Sequence, residues 1–99
     1  MTWDELRGRL ETIPLAALYV TIEGCAPCKA VRPWAEAMFE DPAWVWIAVD
    51  SAESPEVTGQ LLVFAHPTLI LLERGTERAR FSRILPRLDV ERAKSAFEV

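Results

Sequence analysis

The residues most suited to chemistry are Cys25 and Cys28, the only cysteines in the chain, with two residues between them. They follow an apolar run, residues 15–22, and precede a segment whose apolar residues recur with helical spacing. Two thiols on the first turn of a helix can close a small disulfide ring and exchange it with another protein. We therefore predict that this pair is redox-active and that the rest of the chain positions it.

The two cysteines are predicted to have different roles. Unpaired N–H groups and the positive end of the helix dipole stabilise a thiolate at a helix start, so the pKa of Cys25 is expected to fall from about 8.5 to about 7. Cys25, at the exposed tip, then attacks a substrate disulfide, and Cys28, one turn further in and more buried, resolves the mixed disulfide. Because nucleophilicity falls with pKa, the proximity of the second thiol matters more than the activation of the first.

Three other interpretations of the pair stay open. A structural zinc site normally has four ligands, and His66 is the one further nitrogen donor of the usual kind in the chain. A purely structural disulfide is rare in the cytosol, and two cysteines can also be unreactive core residues. The position of the pair at a strand-to-helix junction favours redox exchange over all three.

The elements that position the pair follow the predicted order α-β-α-β-α-β-β-α. Strands are predicted at residues 15–22, 45–49, 68–72 and about 78–84. The first helix is predicted to follow the Thr2–Glu5 capping pair and to end at Pro14, and the second to run from Ala26 or Pro27 to Asp41-Pro42. The third is predicted to run from Ser54-Pro55 through Leu62, and the last to follow a cap at Asp89. The first two strands flank a helical crossover and should be parallel, whereas the last two form a hairpin around Gly75.

Length and composition predict one α/β domain over residues 1–99, near the commonest domain size. A formal charge of −4 argues against nucleic acid as a partner, because phosphate binding needs clustered Lys and Arg. No apolar run approaches the ~18 residues that cross a membrane, and the acidic start of the chain lacks a signal peptide. We therefore expect a cytoplasmic monomer that binds neither nucleic acid nor membrane.

Three sequence features occur in a fixed order along the chain. They are Cys25-Ala26-Pro27-Cys28-Lys29 after a buried strand, Pro33 five residues past Cys28, and Pro67-Thr68 at the start of the third strand. From about Leu15 to Phe97 this arrangement resembles the thioredoxin family. The resemblance implies a thioredoxin-like fold, with a central four-stranded mixed sheet flanked by helices. The extra N-terminal strand of the family is missing here.

The resemblance also implies how substrates bind. In that family the proline matching Pro67 is cis and lies against the disulfide, and the backbone of the preceding residue, here His66, pairs with an extended substrate segment. Implied as substrate-binding positions are Gly24, Ala26, Pro27, Ala65 and His66. The implied partners are disulfide-containing proteins, with a flavin-dependent thioredoxin reductase or a low-molecular-weight thiol as electron donor. The fold implies no bound cofactor beyond the Cys25–Cys28 disulfide.

The neighbours of the pair depart from the family pattern. Gly24 stands where thioredoxins usually carry tryptophan, and Ala26 stands where they usually carry glycine. Tyr19 replaces the usual buried acid, and Trp46 replaces the lysine that accompanies it. Because that acid assists proton transfer as the second cysteine attacks, resolution here needs water or another base, for which Glu23 is the nearby carboxylate.

Further residues are candidates for tuning the thiols. The imidazolium of His66 would lie near Cys25 and stabilise its thiolate or relay a proton, or its ring points to solvent and only its backbone matters. Tyr19 would donate a hydrogen bond near Cys28, and Lys29 would favour the thiolate through its charge. The plainer interpretations are a buried tyrosine with a backbone partner and a solvated lysine. An apolar lip is expected at residues 64–65.

These observations predict a protein-disulfide reductase that performs two-electron thiol–disulfide exchange. The alternative is a redox-sensing or adaptor module that uses the same surface without efficient turnover, which the missing buried acid favours.

Overall fold

The computed structural model describes residues 1–97, so the last two residues of the predicted domain lie outside the described part. The described chain forms α1 (Trp3–Thr12), β1 (Leu15–Thr21), α2 (Ala26–Met38), β2 (Val45–Asp50), α3 (Pro55–Gln60), β3 (Thr68–Glu73), β4 (Thr76–Ser82) and α4 (Arg87–Ala96). The predicted order of elements is confirmed.

The strands form a mixed sheet in the order β2-β1-β3-β4. β1 pairs with β2 in parallel, as expected for strands that flank a crossover helix, and the pairs β1–β3 and β3–β4 are antiparallel. β1 is central, and its residues 16–20 are all buried. This position explains why its sequence is apolar without alternation.

Each face of the sheet is covered by two helices. One core cluster packs α1 and α3 against alternate residues of β1, including Leu18 and Val20. The other packs α2 and α4 against Ala17 and Tyr19 of β1. Because α2 packs on the second face and starts just beyond the end of β1, its first turn lies at the carboxyl end of the central strand.

The capping prediction for α1 is confirmed, because the Thr2 hydroxyl accepts a 3.2 Å hydrogen bond from the Glu5 N–H. α2 ends at Met38 rather than at Asp41-Pro42. α4 begins at Arg87, so Asp89 lies within its first turn and is not its cap. The prediction of a cap at Asp89 was therefore wrong.

The boundaries of β4 also differ from the prediction. The strand starts at Thr76, two residues earlier than expected, because Gly75 turns the hairpin with φ +84° and lets Thr76 pair with Glu73. It ends at Ser82 rather than residue 84, because Arg83 has φ +70° and cannot continue an extended strand.

Residues 45–49 are all apolar, which predicts a buried strand, but β2 is buried on only one of its faces. Ile47 and Val49 are buried, but Ala48 is exposed, since β2 lies at the edge of the sheet. In residues 1–97, no helix has the length and apolar character needed to cross a membrane.

Candidate active site

Cys25 and Cys28 form a disulfide at the start of α2, with their Cα atoms 5.3 Å apart. Cys25 is the N-cap residue of the helix, and its sulfur accepts a hydrogen bond of 3.1 Å from the Cys28 N–H. Cys25 is partly exposed, whereas Cys28 is only 3% exposed. The predicted difference in access between the two sulfurs is therefore present.

A tight turn over residues 22–25 carries the chain from β1 into α2. The Cys25 N–H donates to the Ile22 carbonyl at 3.3 Å, and Gly24 has φ +80°. A residue with a side chain is strained by about 1 kcal/mol or more in this left-handed conformation. Gly24 stands where thioredoxins usually carry tryptophan, and the local backbone itself favours glycine at this position.

The segment before β3 lies beside this turn. In the antiparallel register Val20 pairs with Thr68, so Pro67 lies level with the chain that leaves β1 toward Cys25. The His66–Pro67 peptide bond is cis, as the family resemblance implied, and Pro67 is fully buried. The Pro67 carbonyl accepts a 2.7 Å hydrogen bond from the Arg83 N–H, which fixes the segment to the end of β4.

Two further hydrogen bonds hold the residues before Pro67. The Thr68 hydroxyl donates to the Ala65 carbonyl at 2.7 Å, and Nε2 of His66 lies 2.5 Å from the Ser51 hydroxyl. In residues 1–97, no backbone hydrogen bond uses the N–H or the carbonyl of His66. The ring of His66 is thus tied to the end of β2, while its backbone can accept an extended partner.

No family model matches the chain. It is 33% identical over 70 residues to thioredoxin C-3 of Corynebacterium nephridii, covering 70% of this chain and 48% of that protein. It is also 33% identical over 84 residues to thioredoxin H2-2 of Oryza sativa subsp. japonica, covering 80% and 61% respectively. The chain thus spans less than two thirds of either relative.

A solved structure with the same arrangement is thioredoxin 1 of the thermophilic eubacterium Thermosipho africanus. It superposes with a TM-score of 0.78 at 26% identity, covering 84% of this chain and 93% of that one. The chain belongs to the thioredoxin family. The expected thioredoxin-like fold is confirmed, and membership supports thiol–disulfide oxidoreductase chemistry at the level of the family.

The largest departure from the thioredoxin pattern is an aromatic pair beneath the disulfide. Tyr19 is fully buried, and its ring stacks on Trp46 with 5.3 Å between centroids. The Tyr19 hydroxyl donates a 2.8 Å hydrogen bond to the carbonyl of Cys28. Burial raises the pKa of Tyr19, against a smaller opposing effect of the charge on Arg32. The two positions where thioredoxins usually place an acid and a lysine therefore hold a neutral stacked pair.

An open groove of about 490 Å³ lies beside the disulfide and includes both cysteines, Glu23, Gly24 and Lys29. Asp50 and Glu53 also line the groove, and both were missed as site residues by the sequence analysis. The parallel register pairs Thr21 with Asp50, which brings the ends of β1 and β2 together. The parallel direction predicted for the first two strands contained this signal, because the carboxyl ends of adjacent parallel strands lie at the same end of a sheet.

The zinc interpretation required a third ligand near Cys25 and Cys28. Within residues 1–97, no three or more His, Cys, Asp or Glu side chains converge in a way that could hold a metal ion. His66, the nitrogen donor considered for this site, has its ring on Ser51 and is not among the residues that line the groove.

Proposed function

We propose that this chain is a protein-disulfide reductase of the thioredoxin family. The observation that carries the proposal is the pairing of an accessible sulfur at the N-cap of α2, Cys25, with a buried sulfur one turn later, Cys28. The helix N-terminus lowers the pKa of a thiol at this place, so Cys25 is the thiolate of the reduced protein.

The reaction begins with the reduced dithiol. The Cys25 thiolate attacks one sulfur of a substrate disulfide, so that a mixed disulfide forms and the first substrate sulfur leaves and takes up a proton. Cys28 then loses its proton and attacks the Cys25 sulfur, which releases the second substrate sulfur as a thiol. The substrate gains two electrons and two protons, and the chain is left with the Cys25–Cys28 disulfide.

The proton of Cys28 needs an acceptor, and Tyr19 does not provide one. Its hydroxyl is bound to the Cys28 carbonyl, and burial raises its pKa. The groove beside Cys28 gives water access to the sulfur, and Glu23 and Asp50 on its walls are carboxylates that can receive the proton through that water. We assign the proton transfer to this route.

Substrate binding is assigned to the backbone beside Pro67. Among residues 1–97 the N–H and carbonyl of His66 have no backbone partner, so they form a short edge that a substrate segment can extend as a strand. Gly24, Ala26 and Pro27 at the start of α2, together with Ala65, form the rest of this contact surface. Pro67 holds residues 65–66 beside the turn that leads into Cys25.

The partners follow from the electron balance. Disulfide-containing proteins accept the two electrons, and a flavin-dependent reductase or a low-molecular-weight thiol returns the dithiol. We place this exchange in the cytoplasm, where reductants of both kinds keep thiols reduced. Nothing else need be bound, because the disulfide itself carries the electrons.

Turnover separates this proposal from the adaptor alternative. The full chain is given a protein disulfide together with NADPH and a thioredoxin reductase, and its rate is compared with that of a free dithiol at the same concentration. Catalysis well above the free dithiol supports the reductase. A rate no better than the free dithiol, with partner binding retained in Cys25→Ser, supports the adaptor.

The redox potential of the Cys25–Cys28 pair gives the direction of electron transfer. A value of about −270 mV is typical of reductants and one of about −120 mV is typical of oxidants.

A further inference from the structure

The connection from β4 to α4 and the first two residues of α4, together residues 83–88, lie beside the proposed substrate edge and have an unusual surface. Ile84 and Leu88 are large apolar residues that are 74% and 56% exposed. Between and beside them stand Arg83 and Arg87, both exposed. Phe64, three residues before Pro67, is 87% exposed. We call Phe64, Arg83, Ile84, Arg87 and Leu88 the cationic–apolar surface.

The two arginines of this surface form no ion pair with a carboxylate of the described residues, unlike five other basic residues of the chain. In residues 1–97 the basic side chains that form ion pairs with carboxylates are Arg7, Arg32, Arg78, Arg80 and Lys94. Arg83 and Arg87 form no such pair within the described residues, and Arg87 instead lies 5.6 Å above the ring of Trp34. In a chain of net charge −4, this places two uncompensated positive charges beside exposed apolar side chains.

The backbone of Arg83 ties this surface to the site. The Arg83 N–H donates a hydrogen bond to the Pro67 carbonyl, so the backbone of Arg83 lies directly beside the cis-proline. Its φ of +70° lies in the left-handed region, where an arginine costs about 1 kcal/mol relative to glycine. A strained residue with a charged side chain at the rim of a reactive site points to a role for that side chain.

The groove on the β2 side of the disulfide has mixed charge, because Glu23, Asp50 and Glu53 line it together with Lys29 and Arg32. On the β4 side, Arg83 and Arg87 are both exposed and both positive. A substrate segment that lies along His66 therefore meets positive charge and apolar surface on one side. Complementary charge favours encounter and orientation more than it adds affinity.

We infer that the cationic–apolar surface selects substrates whose disulfide lies in an extended segment with carboxylates and apolar residues close to the reactive cysteine. Arg83 and Arg87 are the specificity-determining residues, and Phe64, Ile84 and Leu88 contact the apolar side chains of that segment. This inference rests on the proposed disulfide exchange, whose steps it leaves unchanged.

The test uses one disulfide-cyclised peptide in three forms that carry two glutamates, two glutamines or two lysines beside the disulfide. The reduced full chain should give a kcat/KM about tenfold higher for the glutamate form than for the lysine form at low salt, with the glutamine form between them. In about 0.5 M salt the ratio should approach one, because the charges are screened.

Two double variants with the same change in net charge provide the comparison. Arg83→Glu/Arg87→Glu should invert the glutamate-to-lysine ratio, and glutamate at position 83 carries a backbone strain similar to that of arginine. Arg9→Glu/Arg92→Glu changes two exposed arginines elsewhere, on α1 and α4, and should keep the glutamate form preferred.

The outcomes separate the two proposals. Reduction of the glutamine form by the wild-type chain, with a ratio near one, overturns the charge selection alone. An equal change of the ratio in both double variants also overturns it, because net charge would then account for the effect. Failure of the wild-type chain to reduce any form overturns the proposed function itself. The salt dependence of the wild-type ratio tests the selection independently of the folding of either variant.

Discussion

The hydroxyl of Tyr19 donates its hydrogen bond to the backbone carbonyl of Cys28, at 2.8 Å. The bond joins the buried centre of β1 to the first turn of α2, where Cys28, the proposed resolving cysteine, lies. In the proposed mechanism Tyr19 positions Cys28 through the backbone and does not take its proton. This relationship distinguishes the site from one in which a buried acid assists resolution, and it leads to the first two predictions.

Tyr19→Phe keeps the stacked ring on Trp46 and removes only the hydroxyl. We expect the free energy of unfolding to fall by about 1 kcal/mol, the usual contribution of one buried hydrogen bond. Denaturant unfolding measures this change. The rate at which Cys28 resolves a mixed disulfide should change by no more than about twofold. A loss of about a hundredfold, typical of removing a general acid or base, would contradict the positioning role.

Tyr19 also predicts a pH dependence of stability, and it is the only tyrosine in the chain. Burial raises its pKa in the folded state, so above about pH 10 the unfolded chain releases this proton while the folded chain retains it. The associated stability is complete below about pH 10 and is lost as the pH rises through the folded pKa. Unfolding measured from about pH 8 to about pH 11 should show the advantage of the wild type over Tyr19→Phe shrinking. A difference in unfolding free energy between wild type and Tyr19→Phe that stays constant over this pH range would contradict the raised pKa of Tyr19.

The sequence was sufficient to predict the parts of this site that depend on local pattern. The apolar run of β1, the helix that starts after Cys25 and the turn at Gly75 each depend on a few neighbouring residues, and each is present. The contact between Ser51 and His66 joins residues 15 apart, and no periodicity encodes it. It depends on where the end of β2 meets the loop before β3.

Two other features escaped prediction for a related reason. Arg83 adopts a positive φ although arginine has no preference for it, so the early end of β4 carries no residue-level signal. Asp50 directly follows the predicted strand 45–49, and its place in the groove follows from its pairing with Thr21. Tertiary register, rather than local preference, placed both residues at the site.

The hydrogen bond between Ser51 and His66 can be tested by a double-mutant cycle. Ser51→Ala and His66→Ala should each destabilise the fold, with a coupling energy of about 1 kcal/mol between them. Because the ring is held by Ser51, His66→Ala should change the pKa of the Cys25 thiolate by less than about 0.3 unit. Titration of thiolate absorbance in the reduced protein measures this. An increase of about one unit would instead support direct stabilisation of Cys25 by the imidazolium.

Gly24 and Gly8 form a matched pair for the conformational argument. A Cβ added at either position meets no atom of the described residues 1–97 within 4 Å, so packing does not distinguish them. Gly24→Ala should destabilise the fold by about 1 kcal/mol because of its positive φ, whereas Gly8→Ala inside α1 should stabilise it by up to about 1 kcal/mol. Thermal or denaturant unfolding measures both effects. The same sign for the two variants would refute the conformational reason for Gly24.

The central claim is that Cys25 attacks and Cys28 resolves, and trapping of the mixed disulfide tests it most directly. Reduced Cys28→Ser is mixed with a protein disulfide, and the products are separated without reductant and identified by mass. We expect a stable adduct joined through Cys25, and no comparable adduct with reduced Cys25→Ser, whose remaining thiol is buried. Equal trapping by both variants, or an adduct formed only through Cys28, would contradict the assignment.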